Sequence, residues 1–163
     1  MADKTRIRCV GGPQLQKRYP EAATQTFKAG EAVYIDANGR VAEFTLGIDT
    51  GGQRLLGFAV EDGHNDTTAG THDVGVFVGP DNEFEGNVTS NGSDQTTAIA
   101  QQGVKYPLQH NTTDSITQVD IADTGGTLDC VRVIKVDERK PAGETNGRIR
   151  FSLTRDALQV FGD

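Results

Sequence analysis

Residues 32–41, AVYIDANGRV, decide the fold class of this chain. Residues 32–36 form a strand pattern whose first four residues are apolar, β-branched or aromatic, and a second strand pattern begins at Val41. The two patterns are separated by Ala37-Asn38-Gly39-Arg40, and Asn-Gly accepts the positive φ angles of a type I′ turn. The stretch therefore predicts a β-hairpin whose returning strand extends to Leu46.

Further strand patterns follow the hairpin. Residues 54–61 (RLLGFAVE) and 73–79 (DVGVFVG) are apolar at most positions, which predicts buried strands, and residues 147–154 (GRIRFSLT) alternate. About eight to ten short strands are predicted in all, with Gly-rich turns between them. Residues 93–102 are the best candidate for a helix. The pattern predicts an all-β fold, a single small β-sandwich or partly closed β-barrel with at most one short helix.

The composition suits one domain with a lean core. The chain has 163 residues, of which 35% are hydrophobic, with 20 Gly and no Trp. High Gly content with few strong helix formers favours strands and turns. A small apolar fraction also suggests that association with other chains contributes to stability.

The charge is unevenly distributed along the chain. The formal net charge is −7, yet residues 1–20 contain five basic and one acidic side chain, a net of +4. The remainder is therefore strongly acidic, which argues against a nucleic-acid partner because phosphate binding requires clustered Lys and Arg. The apolar runs are shorter than the ~20 residues of a spanning helix, so no membrane partner is expected.

Residues 1–26 are predicted to be an extended N-terminal arm, preceding a β domain at 27–163. We expect the arm to contact a neighbouring subunit, because it is basic beside an acidic body and because its apolar side chains could pair with a sheet edge. The alternative is a solvated terminus. The predicted protein-interface residues are Arg6, Ile7, Arg8, Val10, Leu15, Lys17, Arg18 and Tyr19.

Two Asp-Thr-Gly tripeptides, at 49–51 and 123–125, are the sharpest enzyme signal. Aspartic proteases use this tripeptide. The Asp carboxylates of two copies come together there and share one proton. Each copy here is followed by a second Gly, and the first lacks the large apolar residues usual before the Asp. We interpret both as turns and expect the chain not to be an enzyme.

Two other groups of polar residues have no defensible motif spacing. One combines imidazoles and carboxylates in a polar loop, and the other contains catalytic-triad residue types. They are Asp62, His64, Asp66, His72 and Asp73, and His110, Asp114 and Ser115. We expect no catalytic residue, no cofactor and no metal ligand among them.

The two cysteines, Cys9 and Cys130, are expected to be free thiols. The first residues, MADKTRIRCV, lack the apolar segment of a secretory signal, so an oxidising compartment is not expected. Cys130 lies in a predicted core strand and should react slowly.

Four stretches of the chain form a characteristic series of strands and turns: FKAGEAVYIDANGRV (27–41), LLGFAVEDG (55–63), DVGVFVGPDNEFEGNV (73–88) and, more weakly, GRIRFSL (147–153). In these stretches the chain resembles the capsid cement, or head decoration, proteins of tailed bacteriophages. The resemblance covers about residues 27–90 well and the rest loosely. It implies a small β protein on the exterior of the virion that binds the major capsid protein and stabilises the head. It also implies self-association, as a homotrimer or a dimer, and it carries no catalytic residue.

Two alternatives stay open. The chain could be a non-catalytic β-sandwich binding module or another virion protein associated with the tail. More remotely, the two Asp-Thr-Gly tripeptides could make it an aspartic protease.

Overall fold

A computed structural model describes residues 4–44, 55–111, 113–122, 129–137, 143 and 145–154. These residues form an all-β fold, as the sequence predicts. The strands, in chain order, are β1 (Arg8–Gly11), β2 (Gln16–Pro20), β3 (Ala32–Ile35), β4 (Val41–Glu43), β5 (Leu55–Ala59), β6 (Asp73–Val78), β7 (Glu83–Ser90), β8 (Ser93–Asp94), β9 (Lys105–Tyr106), β10 (Leu108–Asn111), β11 (Ile116–Asp120), β12 (Val131–Val136) and β13 (Arg148–Leu153).

The strands build two sheets. A five-stranded sheet has the order β2-β6-β5-β3-β4, and all its pairs are antiparallel. An eight-stranded sheet has the order β10-β11-β7-β13-β12-β9, with β1 and β8 also paired to β7. Strand β7 therefore organises the larger sheet, because four other strands pair with it.

The predicted hairpin at the start of the β domain is confirmed, although its turn differs. Strands β3 and β4 pair from Ile35↔Val41 outward. Only Gly39 of the turn has a positive φ, +76°, so the turn is not type I′. The Asp36 carboxylate instead accepts hydrogen bonds from the backbone N–H groups of Asn38 and Arg40. An Asx turn replaces the expected geometry.

The middle of the five-stranded sheet is covered on both faces, which confirms the buried strand predicted at residues 54–61 for its part at Leu55–Ala59. All five residues of β5 are buried. Leu55 and Phe58 belong to the core that the sheet shares with the larger sheet, whereas Leu56 and Ala59 belong to a second core. The second core also contains Phe27, Val33, Ile35, Val41, Val74, Val76 and Val78.

An aromatic cluster joins the two sheets. Phe58 of β5 meets Phe84 of β7 edge to face, with ring centroids 4.7 Å apart. Phe151 of β13 lies 5.9 Å from Phe84 and 6.1 Å from Phe58, again between centroids. Because all three rings are fully buried, they contribute both burial and ring–ring attraction to the contact between the sheets.

The helix predicted at 93–102 is wrong. Asn91 (φ 49°) and Gly92 (φ 84°) form a two-residue turn with positive φ at both positions, and Ser93–Asp94 returns as β8 along β7. Only a 3-10 turn, Ile99–Gln101, forms beyond it. None of its residues is buried, and Ile99 is 69% exposed. The hairpin therefore includes Ser93 and Asp94, the first residues of the predicted helix. The 3-10 turn that follows has no buried side chain to pack it against the sheets.

The N-terminal segment is not an arm that stands away from the β domain. Strand β1 pairs with β7 of the larger sheet, and β2 pairs along its length with β6 of the smaller sheet. Between them, the buried Asn82 side chain donates to the carbonyls of Leu15 and Val78 and accepts from the Leu15 N–H. Residues 8–20 therefore pair with both sheets of the β domain that the sequence predicts at 27–163.

We predict that Phe84→Ala lowers the free energy of unfolding by about 3–5 kcal/mol, since it leaves a cavity between the sheets. Ile134→Ala is the control, because this side chain is 40% exposed on β12 and its truncation should cost less than about 0.5 kcal/mol. Urea denaturation measures both variants. A loss below about 1 kcal/mol in Phe84→Ala would contradict the packing described here.

Candidate functional site

The structure divides the eight predicted interface residues into two sets. In the first set, Ile7 is 3% exposed and belongs to the core between the sheets. Arg6 donates to the Ser115 carbonyl, and Arg8 donates to the Glu85 carboxylate at 2.7 Å. Ile7 is therefore part of the core, whereas the Arg6 and Arg8 side chains stay 40% and 52% exposed while making these contacts. Contact of these residues with a neighbouring subunit stays a prediction.

The second set remains accessible. Leu15 is 48% exposed, and Lys17 and Arg18 are exposed on β2. Val10 and Tyr19 are half-buried, and Tyr19 packs against the second core. The accessible part of the predicted interface is therefore narrower than the sequence indicated.

Strand β2 is an edge strand within the described part of the chain, because β6 is its sole partner in the sheet there. Its surface is basic, although Arg18 is paired with Glu61 at 2.9 Å. Charged residues and Pro20 on an edge can serve to prevent aggregation. The same edge can also accept a partner strand, with Lys17 and Leu15 beside it. This strip, Leu15–Pro20, is the candidate protein-binding site.

The sequence motifs of catalytic type, which we interpret as non-catalytic, lie in two parts of the chain. The Asp-Thr-Gly tripeptides at 49–51 and 123–125 lie outside the described residues. The His110 ring faces Glu43, with Nε2 3.6 Å from Oε1. Asp114 instead accepts hydrogen bonds from Lys4 and Asn111. The contacts of His110 and Asp114 are thus made with different partners.

The polar loop of residues 62–73 serves the fold. Glu21, which is 3% exposed, accepts the His64 N–H and lies 2.6 Å from His64 Nδ1. The His64 ring stacks on His72 with centroids 4.2 Å apart, and His72 Nε2 lies 3.5 Å from an Asp66 oxygen.

Asp62 of the same loop accepts hydrogen bonds from the Ala29 N–H and the Lys28 ammonium. The first of these contacts is the main reason why the pKa of Asp62 is lowered. The loop is thereby tied to the segment before β3. Asp73 is exposed and begins β6.

Three ionisable side chains that the sequence did not group lie together between the sheets. Glu31 precedes β3, Glu43 ends β4 and His110 lies in β10. One carboxylate oxygen of each Glu and a ring nitrogen of His110 lie within 4.8 Å of one another. Among the described residues, this is the one group of His, Cys, Asp and Glu with such convergence. Burial is the main reason why the pKa of Glu31 is raised.

No protein-family model matches the chain, and no curated protein matches it. The geometry defines the class of the protein as a two-sheet all-β protein with an accessible basic edge strand. In the part of the chain that the structure describes, no helix has the length and apolar character to cross a membrane.

The cysteines differ in environment. Cys9 is a half-buried free thiol on β1, and Cys130 is a fully buried free thiol directly before β12. Burial raises the pKa of Cys130 from 9.0 to about 12 and raises the pKa of Cys9 as well. Since the thiolate is the reactive form, Cys130 should be inert in the folded protein.

We predict that iodoacetamide at pH 8 modifies Cys9 of the native protein, whereas Cys130 reacts only after denaturation. Peptide mass spectrometry distinguishes the two sites, and Cys9→Ser is the control that should abolish native modification. Equal native reaction rates at both thiols would contradict this assignment.

The stabilisation from burying a neutral Cys130 thiol should be complete below pH 9 and decline as the pH rises towards 12.

Proposed function

We propose that the chain is a capsid cement protein that binds the outer surface of the major capsid protein in the head of a tailed bacteriophage. The first support for this proposal is the resemblance of four stretches of the sequence to such cement proteins. The resembling stretches correspond to the β3–β4 hairpin, to β5, to β6 and β7, and to β13. They therefore supply the central strands of both sheets and the aromatic cluster between them.

The observation that carries the proposal is the basic edge strand on an acidic protein. The chain has a net charge of −7, yet exposed Lys17 and Arg18 lie on β2, an edge strand of the smaller sheet within the described residues. A partner of complementary charge would be guided to this edge rather than to the rest of the surface. Backbone hydrogen bonds from an added strand would then supply affinity.

The edge is also preorganised for binding. Five consecutive residue pairs align β2 with β6, and Tyr19 anchors the strand in the second core. A strand that is already ordered loses little conformational freedom when a partner adds to it. Such an edge suits a protein that must reinforce a shell. Self-association into a trimer or dimer, with the capsid protein as the second partner, belongs to the same proposal.

Locating the chain in particles tests the function itself. Virus-like particles should be purified from the cells that naturally encode the chain, and cryo-electron microscopy should find it on the outer surface of the heads. Its presence only on tails, or its absence from particles that contain the major capsid protein, would refute the proposal.

A matched pair of double variants tests the edge strand. Capsids that lack this chain are prepared from cells in which its gene is deleted. We predict that Leu15→Asp/Lys17→Glu weakens binding to these capsids by about tenfold or more, since it places acidic groups at the proposed contact. Arg132→Glu/Ile134→Asp has the same spacing on exposed positions of β12 and should bind as wild type. Cosedimentation with the capsids measures occupancy. Equal binding by both double variants would exclude β2 as the binding strand.

A further inference from the structure

We propose that Glu31, Glu43 and His110 form a binding site for a divalent transition-metal ion of the zinc class. The three side chains come from the two different sheets: Glu31 and Glu43 from the β3–β4 region, and His110 from β10. A metal ion bound there would connect the two sheets.

The spacing of the ligand atoms fits such an ion. Zinc with nitrogen and oxygen ligands at about 2.0–2.2 Å places tetrahedral neighbours about 3.3–3.6 Å apart. His110 Nε2 and Glu43 Oε1 are already 3.6 Å apart, and all three ligand atoms lie within 4.8 Å of one another. Glu43 and His110 are only partly buried, so small rotations of their side chains would bring all three ligand atoms to the tetrahedral spacing.

An unsatisfied oxygen indicates that a ligand belongs in this cluster. Glu31 is 2% exposed, and its Oε2 accepts the Lys28 N–H at 2.8 Å. Its Oε1 is buried and has no hydrogen-bond partner among the residues that the structure describes. A buried carboxylate oxygen without a partner is costly, and a coordinated cation would satisfy it.

The Arg6 guanidinium does not satisfy the Glu31 Oε1 atom. Its Nη1 lies 3.7 Å from Glu31 Oε1, beyond hydrogen-bond distance, and donates to the Ser115 carbonyl instead. The Arg6 side chain is 40% exposed, so solvent screens its charge. Two carboxylates against one guanidinium leave the site with a net negative charge, which favours a dication.

The donor set selects the class of ion. An imidazole with two carboxylates suits zinc and similar transition metals, whereas magnesium and calcium prefer oxygen ligands alone. Three protein ligands leave a fourth position for water. Ala32 also donates its N–H to the Thr117 hydroxyl at 3.2 Å beside Glu31, which connects the same two sheet regions. We therefore assign the ion a stabilising role.

Zinc titration of the purified full-length chain tests the site. Calorimetry should show one zinc ion per chain, with magnesium as the negative control. Zinc at 100-fold excess over its dissociation constant should raise the melting temperature by about 5–10 °C, because it binds only the folded state. His110→Asn and Glu43→Gln should each weaken binding by about 100-fold or more.

His72→Asn is the matched control, because His72 stacks on His64 in the other histidine-containing cluster. It should bind zinc as wild type does, and circular dichroism should verify the fold of each variant. Should the ligand variants fail to fold, nitrogen-15 NMR of wild type should still show zinc shifting His110 alone among the three histidines.

Three results would overturn the proposal. They are no zinc binding by the wild type, zinc binding that His72→Asn abolishes, and a zinc-induced shift at His64 or His72 rather than at His110.

Discussion

The contact of Phe58 with Phe84 and Phe151 is the interaction on which the rest of the structure depends. It buries three rings between two sheets that would otherwise each expose an apolar face. The larger sheet is organised by β7, which carries Phe84. Because the central strands of the smaller sheet are covered on both faces, they can be almost entirely apolar, and β5 is buried at every position.

The N-terminal segment closes this arrangement. Strand β1 extends the larger sheet and β2 extends the smaller one, so one short connection joins both layers. Gly12 is required there, because a Cβ atom would lie 2.2 Å from the Asp81 carbonyl oxygen and its φ is +76°. The basic charge of the segment is then divided: Arg6 and Arg8 face acidic partners within the chain, and β2 presents the remainder at the surface.

The sequence predicted what local patterns determine. The hairpin at β3–β4, the doubly buried β5 and the alternating β13 follow from residue type and period. The helix at 93–102 failed because the Asn91-Gly92 turn directs the chain back along β7, which is a tertiary effect. The independent arm failed because pairing with β6 and β7 cannot be read from residues 8–20 themselves. The group of Glu31, Glu43 and His110 was missed because the sheets, not sequence spacing, bring these residues together.

The central claim of this account is that residues 8–20 are part of the two-sheet unit, with β2 as an edge strand of the smaller sheet in the described part of the chain. Native-state hydrogen exchange measured by NMR tests this claim most directly. The account predicts that amides of β1 and β2 that bond to β7 and β6 exchange with protection similar to that of β5 and β13. Rapid exchange throughout residues 8–20, with β5 and β13 still protected, would contradict it and restore the free arm.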